Sequence, residues 1–544
     1  MIKKSIVSGK IVDVINRRIF SGEIHVLDGV IKRVEETDSV DNQYILPGFI
    51  DGHIHIESSM LVPSEFARIA SVHGTVAAVS DPHEIANILG ISGVEFMIKN
   101  ASTVPFKFYF GAPACVPATP FETAGAAINH KDMEVLFQMD DILYLSEMMN
   151  VPGVLNDAQS EMEKLNLARK YGKKVDGHSP GLRGKDAEKY VRSGITTDHE
   201  CVTIEEAREK IRYGMTIQIR EGSAARNLDD LMPLIDEHPK KVMFCSDDRH
   251  PDDLVESHVR HMALRAKKAG HDLFNILQAA CATAVEHYGL DVGLLQKGDS
   301  ADFIIVDNLD EMNILFTFVN GIKIADINGP LLSTQTVEKI NVFNAAKKSV
   351  NEFSVITGQG KIRVINVIDG QLITKLSLEI PKVENDFAIQ DIERDLLKIT
   401  VVNRYKNEKP AVAFIRNFGL KSGAIASSVA HDSHNIIAVG ATDEDLCKAV
   451  NLVIKHKGGV CVVNGNNENM IPLPIAGIMS DGNGYDVAKQ YAELDQLAKD
   501  MGSTLNAPFM TLSFMALLVI PELKLSDQGL FDGKVFKFTP LFTG

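Results

Sequence analysis

The stretch from residue 45 to residue 59 constrains this chain most, because it places two histidines one residue apart after a short apolar run. Side chains at positions i and i+2 of a β-strand share one face, so His53 and His55 can reach the same metal ion. The apolar run from Tyr44 to Ile50 predicts a strand that ends at this polar site. Taken alone, the motif fits two surface histidines on an edge strand equally well.

The region after this motif alternates strand and helix patterns, with helical stretches such as Pro63–Val72 and Asp157–Tyr171. Such alternation predicts a parallel sheet, and eight strand–helix units predict a (β/α)8 barrel of the TIM type over residues 47–289. An open doubly wound sheet is the competing topology. The eight predicted strands are Ile45–Ile50, Thr75–Ser80, Phe106–Phe110, Ile142–Ser146, Lys174–Asp176, Ile195–Asp198, Met215–Ile219 and Val242–Cys245.

The segments on either side of this region have a different character, and 544 residues are too many for one core. Residues 1–46 and 290–344 contain short strand patterns, which we expect to combine into one composite β-sandwich. Residues 345–365 predict a linker. Residues 365–544 predict an additional C-terminal α/β domain with strands near Lys398–Asn403, Ala411–Arg416 and Val460–Asn464.

Charge and composition limit the partners of the chain. A net charge of −16 argues against nucleic acid or an anionic membrane as the main partner. The longest apolar run, Phe509–Ile520, is too short to span a bilayer, and the stretch Met1–Ser5 lacks the apolar core of a signal peptide. The six cysteines are scattered without a Cys-x-x-Cys pair. We therefore expect a reduced, cytoplasmic protein.

Polar residues follow most of the predicted strands, at the ends where a barrel of this type carries its active site. One such residue alone is more typical of a helix cap or a solvated loop. Together they predict a metal site, because imidazole and carboxylate groups are suitable ligands for divalent Mn, Fe or Zn. These residues are His53, His55, Asp81, His83, Glu84, Glu147, His178, His199, Asp247 and Asp248.

The segment Pro47-Gly-Phe-Ile-Asp-Gly-His-Ile-His resembles the opening motif of the amidohydrolase superfamily of metal-dependent hydrolases, and this resemblance covers about residues 1–340. Within that superfamily the whole chain resembles the adenine deaminase family. The opening motif is shared by many hydrolases, whereas the other matching segments are much more specific. These are residues 80–87, 175–181, 244–249, 428–437 and 508–517.

The resemblance implies a site with two divalent metal ions per chain, with Mn²⁺ preferred over Fe²⁺ or Zn²⁺. His53 and His55 would bind the first ion, and His178 and His199 the second. Glu147 would bridge the two ions, since the carboxylated lysine of many superfamily members has no counterpart between residues 141 and 153. Asp247 would bind the first ion and move protons.

The implied reaction is the hydrolysis of adenine to hypoxanthine and ammonia by a metal-bridged hydroxide, a step of purine salvage. Asp247 would act as general base and then general acid. Three residues after the second strand, Asp81, His83 and Glu84, are candidates for proton transfer to the ring nitrogens, although Asp81 is equally suited to orienting the metal ligands.

Four further residues are candidates for binding the purine. Glu57 and Ser58 follow the two histidines after Ile56, and capping of the next helix is their alternative role. His431 and His434 lie in a polar turn that we expect to pack towards the barrel mouth of its own or a neighbouring subunit and to enclose adenine. A solvated loop is the alternative for this turn.

Other functions make different demands on the sequence. A cyclic amidohydrolase similar to dihydroorotase or hydantoinase usually carries the bridging lysine, which is missing here. The other zinc-dependent deaminase architecture needs Pro-Cys-x-x-Cys, and the chain has no Pro-Cys dipeptide. A structural or interaction protein would be expected to lose some ligands, and none is lost. We also expect a homo-oligomer, a dimer or larger.

Overall fold

The computed structural model describes residues 4–38 and 40–544, so part of the stretch Met1–Ser5 lies outside the described residues. The chain begins with an antiparallel unit in which β1 pairs with β2 and β2 pairs with β3. β4 then runs parallel to β1 and leads into the two histidines. These strands are β1 (Lys4–Asp13), β2 (Arg18–Leu27), β3 (Val30–Glu36) and β4 (Tyr44–Pro47).

Eight parallel strands follow, in one sheet of five (β5–β9) and one of three (β10–β12). The backbone N–H of Asp247, just after β12, donates to the carbonyl of His53 over 2.9 Å, and the N–H of His55 donates back to Asp247 over 3.2 Å. The strands therefore form a curled parallel arrangement in which the last lies beside the first. They are β5 (Phe49–Ile54), β6 (Thr75–Ser80), β7 (Lys107–Ala112), β8 (Ile142–Met148), β9 (Lys174–Gly177), β10 (Thr197–Asp198), β11 (Thr216–Arg220) and β12 (Val242–Cys245).

Helices connect these strands, and local sequence signals set their ends. The hydroxyl of Thr203 accepts the N–H of Glu206 at the start of α8, and Gly214 ends that helix with a left-handed φ of 116°. The helices are α1 (Pro63–Ala70), α2 (His83–Leu89), α3 (Ile91–Ala101), α4 (His130–Phe137), α5 (Val151–Leu155), α6 (Gln159–Lys170), α7 (Gly184–Arg192), α8 (Ile204–Tyr213), α9 (Leu228–Leu231), α10 (Leu234–Glu237), α11 (Pro251–Glu256), α12 (Val259–Lys268), α13 (Leu273–Leu277) and α14 (Thr283–Tyr288).

After these helices the chain returns to the first sheet. The next strand, β13, pairs antiparallel with β4, with Ile304 opposite Leu46. The result is one eight-stranded sheet that contains strands from both flanks, in the order β16-β15-β14-β13-β4-β1-β2-β3. The returning strands are β13 (Phe303–Val306), β14 (Ile314–Val319), β15 (Ile322–Asp326) and β16 (Gly329–Pro330).

The last third of the chain contains a second eight-stranded sheet, in the order β19-β18-β23-β22-β25-β24-β26-β27, and two three-stranded sheets, β17-β21-β20 and β28-β29-β30. Residues 345–365, predicted as a linker, contain a 3₁₀ turn at Val350–Phe353, strand β17 and the start of β18. Ile362 and Val364 in β18 are fully buried, so the ordered segment begins earlier than predicted. The strands are β17 (Val355–Ile356), β18 (Ile362–Val367), β19 (Thr374–Glu379), β20 (Lys382–Glu384), β21 (Phe387–Ile389), β22 (Leu397–Val402), β23 (Ala411–Arg416), β24 (Ala424–Ser427), β25 (Ile436–Gly440), β26 (Gly459–Asn464), β27 (Asn467–Pro472), β28 (Leu523–Ser526), β29 (Gly529–Asp532) and β30 (Lys537–Phe538).

Three helices complete this part, namely α15 (Asp443–His456), α16 (Gly484–Asp500) and α17 (Pro508–Ser513). The apolar run at Phe509–Ile520 is split between α17 and a 3₁₀ turn, Phe514–Ala516. None of the helices in the described ranges is long and apolar enough to cross a membrane. All six cysteines are buried and free.

Candidate active site

The six predicted metal ligands meet at the carboxyl ends of the parallel strands, and we call them the polar cluster. Each is at most 9% exposed to solvent. The strands that position them are β5, β8, β9, β10 and β12, because each ligand lies in the last residues of its strand or within two residues after it. The polar cluster consists of His53, His55, Glu147, His178, His199 and Asp247.

Glu147 lies at the centre of the polar cluster and faces four imidazoles. Its Oε1 is 3.0 Å from Nε2 of His53 and 2.8 Å from Nε2 of His55. Its Oε2 is 2.9 Å from Nδ1 of His178 and 3.7 Å from Nε2 of His199. Each carboxylate oxygen therefore serves a different pair of histidines, as a carboxylate that bridges two cations would.

The donor set fits divalent cations better than a network of ion pairs. The rings of His53 and His199 stack with their centroids 4.3 Å apart, an arrangement in which two protonated imidazoles would repel each other. Buried nitrogens of three histidines, His53 Nδ1, His178 Nε2 and His199 Nδ1, have no hydrogen-bond partner. Ligand atoms of His53, Glu147, His199 and Asp247 all lie within 4.8 Å of one another. Neutral imidazoles and carboxylates gathered this closely are suitable ligands for Mn, Fe or Zn.

Asp247 is held between the histidines and an arginine. Its Oδ1 lies 3.5 Å and 3.3 Å from Nε2 of His53 and His55, while Arg220 donates to Oδ2 over 2.5 Å. Arg220 also forms a two-pronged ion pair with Glu200. Burial would raise the pKa of Asp247, but Arg220 and His199 hold that pKa well below its usual range. The contacts to Arg220 and to the two histidines fix the orientation of this carboxylate.

The segment after β6 supports the first histidine pair. Nδ1 of His55 donates to the carbonyl of Asp81 over 3.1 Å, which leaves its Nε2 free to face Glu147. The Asp81 carboxylate lies 3.1 Å from Nδ1 of His83, and the His83 ring packs edge-on against His55 at 4.5 Å. The sequence left two roles open for Asp81, proton transfer and orienting the metal ligands. Its carbonyl makes a contact of the orienting kind, to His55.

Glu84 connects this segment to the distant turn at residues 431–434. Nδ1 of His431 contacts Oε1 of Glu84, and Nε2 of His434 contacts Oε2. Burial would raise the pKa of Glu84, but His431, His434 and His83 hold that pKa well below its usual range. The turn is buried rather than solvated, and it packs on the site of its own chain.

The cavity beside the polar cluster is small and covered by apolar side chains. Its volume is about 30 Å³, and three apolar residues of the C-terminal part, Leu372, Phe514 and Leu517, line it together with the polar residues; we call these three the roof. This is room for a few waters, whereas sites for small organic ligands are typically about 300–1,000 Å³. A second cavity of about 530 Å³ shares Met149 and His178 with it. His178, a member of the polar cluster, therefore faces both cavities, and a ligand as large as a purine can fit beside the other five members only if the roof or this shared wall moves.

Two family profiles match the chain. The profile described as "Amidohydrolase family" matches residues 44–324, and "Adenine deaminase C-terminal domain" matches residues 371–537. The chain is 52% identical to the adenine deaminase of Methanosarcina mazei, with 98% of this chain and 99% of the relative covered. The chain belongs to the adenine deaminase family of amidohydrolases. This confirms the resemblance found in the sequence.

Other members of the adenine deaminase family match over a similar length. The relative from Salinibacter ruber is 52% identical, with 98% of both chains covered, and that from Borreliella burgdorferi is 48% identical, with 97% of this chain and 98% of the relative covered. Among solved structures, a β-aspartyl dipeptidase of Fervidobacterium islandicum is similar at 16% identity and a TM-score of 0.47, covering 60% of this chain and 98% of the other.

Glu57 and Ser58, which were predicted to contact the purine, make contacts within the protein in this member of the adenine deaminase family. Oε1 of Glu57 accepts the N–H of Ile85 in the first turn of α2, and burial raises the pKa of Glu57 to about 7. The hydroxyl of Ser58 donates to Asp248. Neither Glu57 nor Ser58 lines the small cavity. Their role in binding the base stays a prediction.

Sequence reasoning missed several residues that support the site. Arg220 is the last residue of β11, the seventh parallel strand. A search for polar residues at the end of that strand would have found it. Asp51 lies in the opening motif, two residues before His53, but no role was predicted for it. Its Oδ1 accepts the N–H of Ser246 over 2.9 Å, and its Oδ2 lies 2.9 Å from Nε2 of His258. Asp51 thereby ties the strand that carries the first histidine pair to the end of β12.

Proposed function

We propose that this chain hydrolyses adenine to hypoxanthine and ammonia, a step of purine salvage. The relatives that bear the name adenine deaminase support this proposal, since they match nearly the whole chain. The observation that carries the chemistry is Glu147, whose two oxygens face two separate pairs of histidines.

The proposed cofactors are two divalent metal ions per chain. His53 and His55 would hold one ion together with Asp247, His178 and His199 would hold the other, and Glu147 would contact both. Mn²⁺ is the proposed metal, with Fe²⁺ or Zn²⁺ as alternatives, because the donors are nitrogen and oxygen without a thiolate. Bound divalent cations lower the pKa of water and so supply a nucleophile at neutral pH.

The proposed proton transfers use titratable side chains at or beside the cavity. Asp247 takes a proton from the attacking water and delivers it to the leaving amine, while Arg220 holds its second oxygen away from the reacting atoms. Glu84 and His83 would exchange a proton with the purine ring nitrogens, and both line the cavity. Asp81 would join this transfer or keep His55 in orientation.

The proposed architecture has three parts. Residues 47–289 would form a closed (β/α)8 barrel, supported by the backbone bonds between Asp247 and the first histidine pair. Residues 1–46 and 290–344 would form the composite β-sandwich, supported by the shared sheet of β1–β4 and β13–β16. Residues 365–544 would form the additional C-terminal α/β domain, whose side chains cover the cavity.

We further propose a cytoplasmic homo-oligomer, a dimer or larger, with no nucleic-acid or membrane partner. The net charge of −16 and the free cysteines support the absence of such partners and the location. Ile356 and Phe387 lie opposite each other in the small sheet of β17, β21 and β20, and both are exposed. Apolar side chains in this position would be covered by a second subunit.

A substrate comparison tests the function directly. The purified, metal-loaded protein is expected to release ammonia from adenine and to leave dihydroorotate and hydantoin unchanged. The second and third substrates represent the alternative function, a cyclic amidohydrolase. Ring opening of either, without ammonia release from adenine, would replace the proposed function by this alternative.

His431→Ala and His434→Ala test whether the buried turn helps to enclose adenine. Each variant is expected to keep its metal content and to lower kcat/KM for adenine about 10- to 100-fold, because each removes a contact to the charged Glu84. His456→Ala, an exposed histidine at the end of α15, is the matched control. Parental turnover in both turn variants would show that the turn is only structural.

A further inference from the structure

The roof is formed by two separate segments of the C-terminal part of the chain. Leu372 lies in the loop between β18 and β19, while Phe514 and Leu517 lie in and after the 3₁₀ turn that follows α17. The chain on either side of the roof is tied together beside β28, since the N–H of Thr374 donates to the carbonyl of Pro521 over 3.0 Å. The spacing of Leu372 and Phe514 themselves depends on a further contact.

Lys524 makes the contacts that join them. Its Nζ donates to the carbonyl of Leu372 over 2.7 Å and to the carbonyl of Phe514 over 2.8 Å. The side chain is on β28 and fully buried. One ammonium thus holds both roof segments at once, through backbone groups of the very residues whose side chains face the cavity.

The surroundings of this lysine are unusual. No carboxylate in the described part of the chain lies within ion-pairing distance of Lys524. Burial lowers the pKa of the Lys524 ammonium to about 7. A buried amine without an anionic partner is costly to the fold, so the position is better explained by what the amine holds than by a gain in stability.

Phe514 connects the roof to the polar residues through its contact with His431. Its ring stacks on the imidazole of His431, with centroids 4.5 Å apart and planes 13° apart. His431 in turn contacts Glu84. A shift of the Phe514 backbone would therefore move both the apolar cover of the cavity and the histidine behind it.

We propose that Lys524 is a positioning residue for the purine: the two hydrogen bonds from its amino group set the spacing of Leu372 and Phe514, so that the roof closes on the flat base above the polar cluster. The proposal rests on the proposed function, because it takes adenine as the occupant. Lys524 touches neither the metal ligands nor the reacting atoms. Its loss therefore affects binding of the base more than the chemical step.

The central test is Lys524→Met, which keeps the length of the side chain and removes both donors. We expect unchanged metal content, a KM for adenine about tenfold higher and a much smaller change in kcat. Affinity for hypoxanthine, measured by calorimetry on the metal-loaded protein, is expected to fall by a similar factor. Lys524→Arg retains hydrogen-bond donors at the end of the side chain and should restore part of the affinity. Lys537→Met, an exposed lysine on β30, is the matched control.

Two further measurements make the result decisive. Phe514→Leu keeps the carbonyl and removes the ring, so it should raise KM by itself, and the double variant with Lys524→Met should show less than the sum of the two effects. Hydrogen exchange of the peptide covering residues 508–520 should be faster in Lys524→Met, whatever the substrate of the protein is. This readout separates failure of the positioning role from failure of the proposed function.

The proposal is overturned by any of three results. The first is parental KM and parental hypoxanthine affinity in folded Lys524→Met. The second is a loss of metal in that variant, which would make Lys524 a general structural residue. The third applies even if Lys524→Met does not fold: parental behaviour of Phe514→Leu would remove the side chain through which Lys524 is inferred to act.

Discussion

Asp247→Asn is expected to fold, to retain metal and to lose about 10³-fold in kcat for adenine, within the range typical of a lost general acid–base group. The amide has nearly the same shape as the carboxylate, but its single oxygen can replace either Oδ1 towards the first metal ion or Oδ2 towards Arg220, so the variant stays a metal ligand by giving up the bond from Arg220. In either orientation the amide cannot take a proton from the attacking water. Ammonia release at saturating adenine gives kcat, and elemental analysis of the same sample shows whether the metal content has changed.

The neighbouring carboxylate provides the control for this prediction. Asp248 also lines the cavity, yet it is bonded by Ser58 and not by Arg220. Asp248→Asn is therefore expected to lose much less turnover than Asp247→Asn. If the metallated Asp247→Asn protein turns over adenine normally, the proton shuttle is a different residue, and Asp248 and Glu84 are the next candidates.

Glu147→Gln is expected to weaken the binding of both metal ions by at least about 100-fold and to abolish most activity as a consequence. Substitution of residues that only hydrogen-bond to metal ligands typically costs about 10–100-fold in metal affinity. Glu147→Gln alters the group that itself faces all four histidines. The parent protein, expressed with manganese, should contain two metal ions per chain by elemental analysis. The variant should contain fewer than one.

A glutamate bridge also has a consequence for reconstitution. A carboxylated lysine needs carbon dioxide, whereas Glu147 does not, so apo-protein should regain activity from metal without added bicarbonate. The control for Glu147→Gln is Glu161→Gln, which removes the charge of another buried glutamate, one that is bonded to Asn150. A bicarbonate requirement, or an active Glu147→Gln protein with two metal ions, would contradict the bridging role.

The polar cluster was accessible from the sequence because its geometry follows from local rules. His53 and His55 share one strand face, and the carboxyl ends of parallel strands meet at one edge of a sheet. A residue just after a buried strand is therefore near other such residues, even when the topology beyond that is unknown. The same rule, applied to β11, would have included Arg220.

Other parts of the site depend on contacts that no local sequence pattern predicts. Glu84 and His431 are 347 residues apart, and only the packing of the C-terminal part of the chain onto the parallel strands brings them together. The turn at residues 431–434 has the composition of a solvated loop, but its buried position overrides that composition. Burial is decided by the whole fold, so it cannot be read from a four-residue segment.

By itself the sequence determined the adenine deaminase family and predicted which side chains gather at the ends of the parallel strands, because motif spacing and hydrophobic periodicity are properties of short segments. The first predicted strand, Ile45–Ile50, is in the structure divided between β4 and β5, and β5 carries His53. Only the tertiary structure decided how the cavity is closed. Lys524 is a buried lysine in a four-residue strand, and its two partners, Leu372 and Phe514, lie 152 and 10 residues away. The packing of separate segments determines which carbonyl groups lie beside the Lys524 amine. No pattern in a short segment predicts these partners.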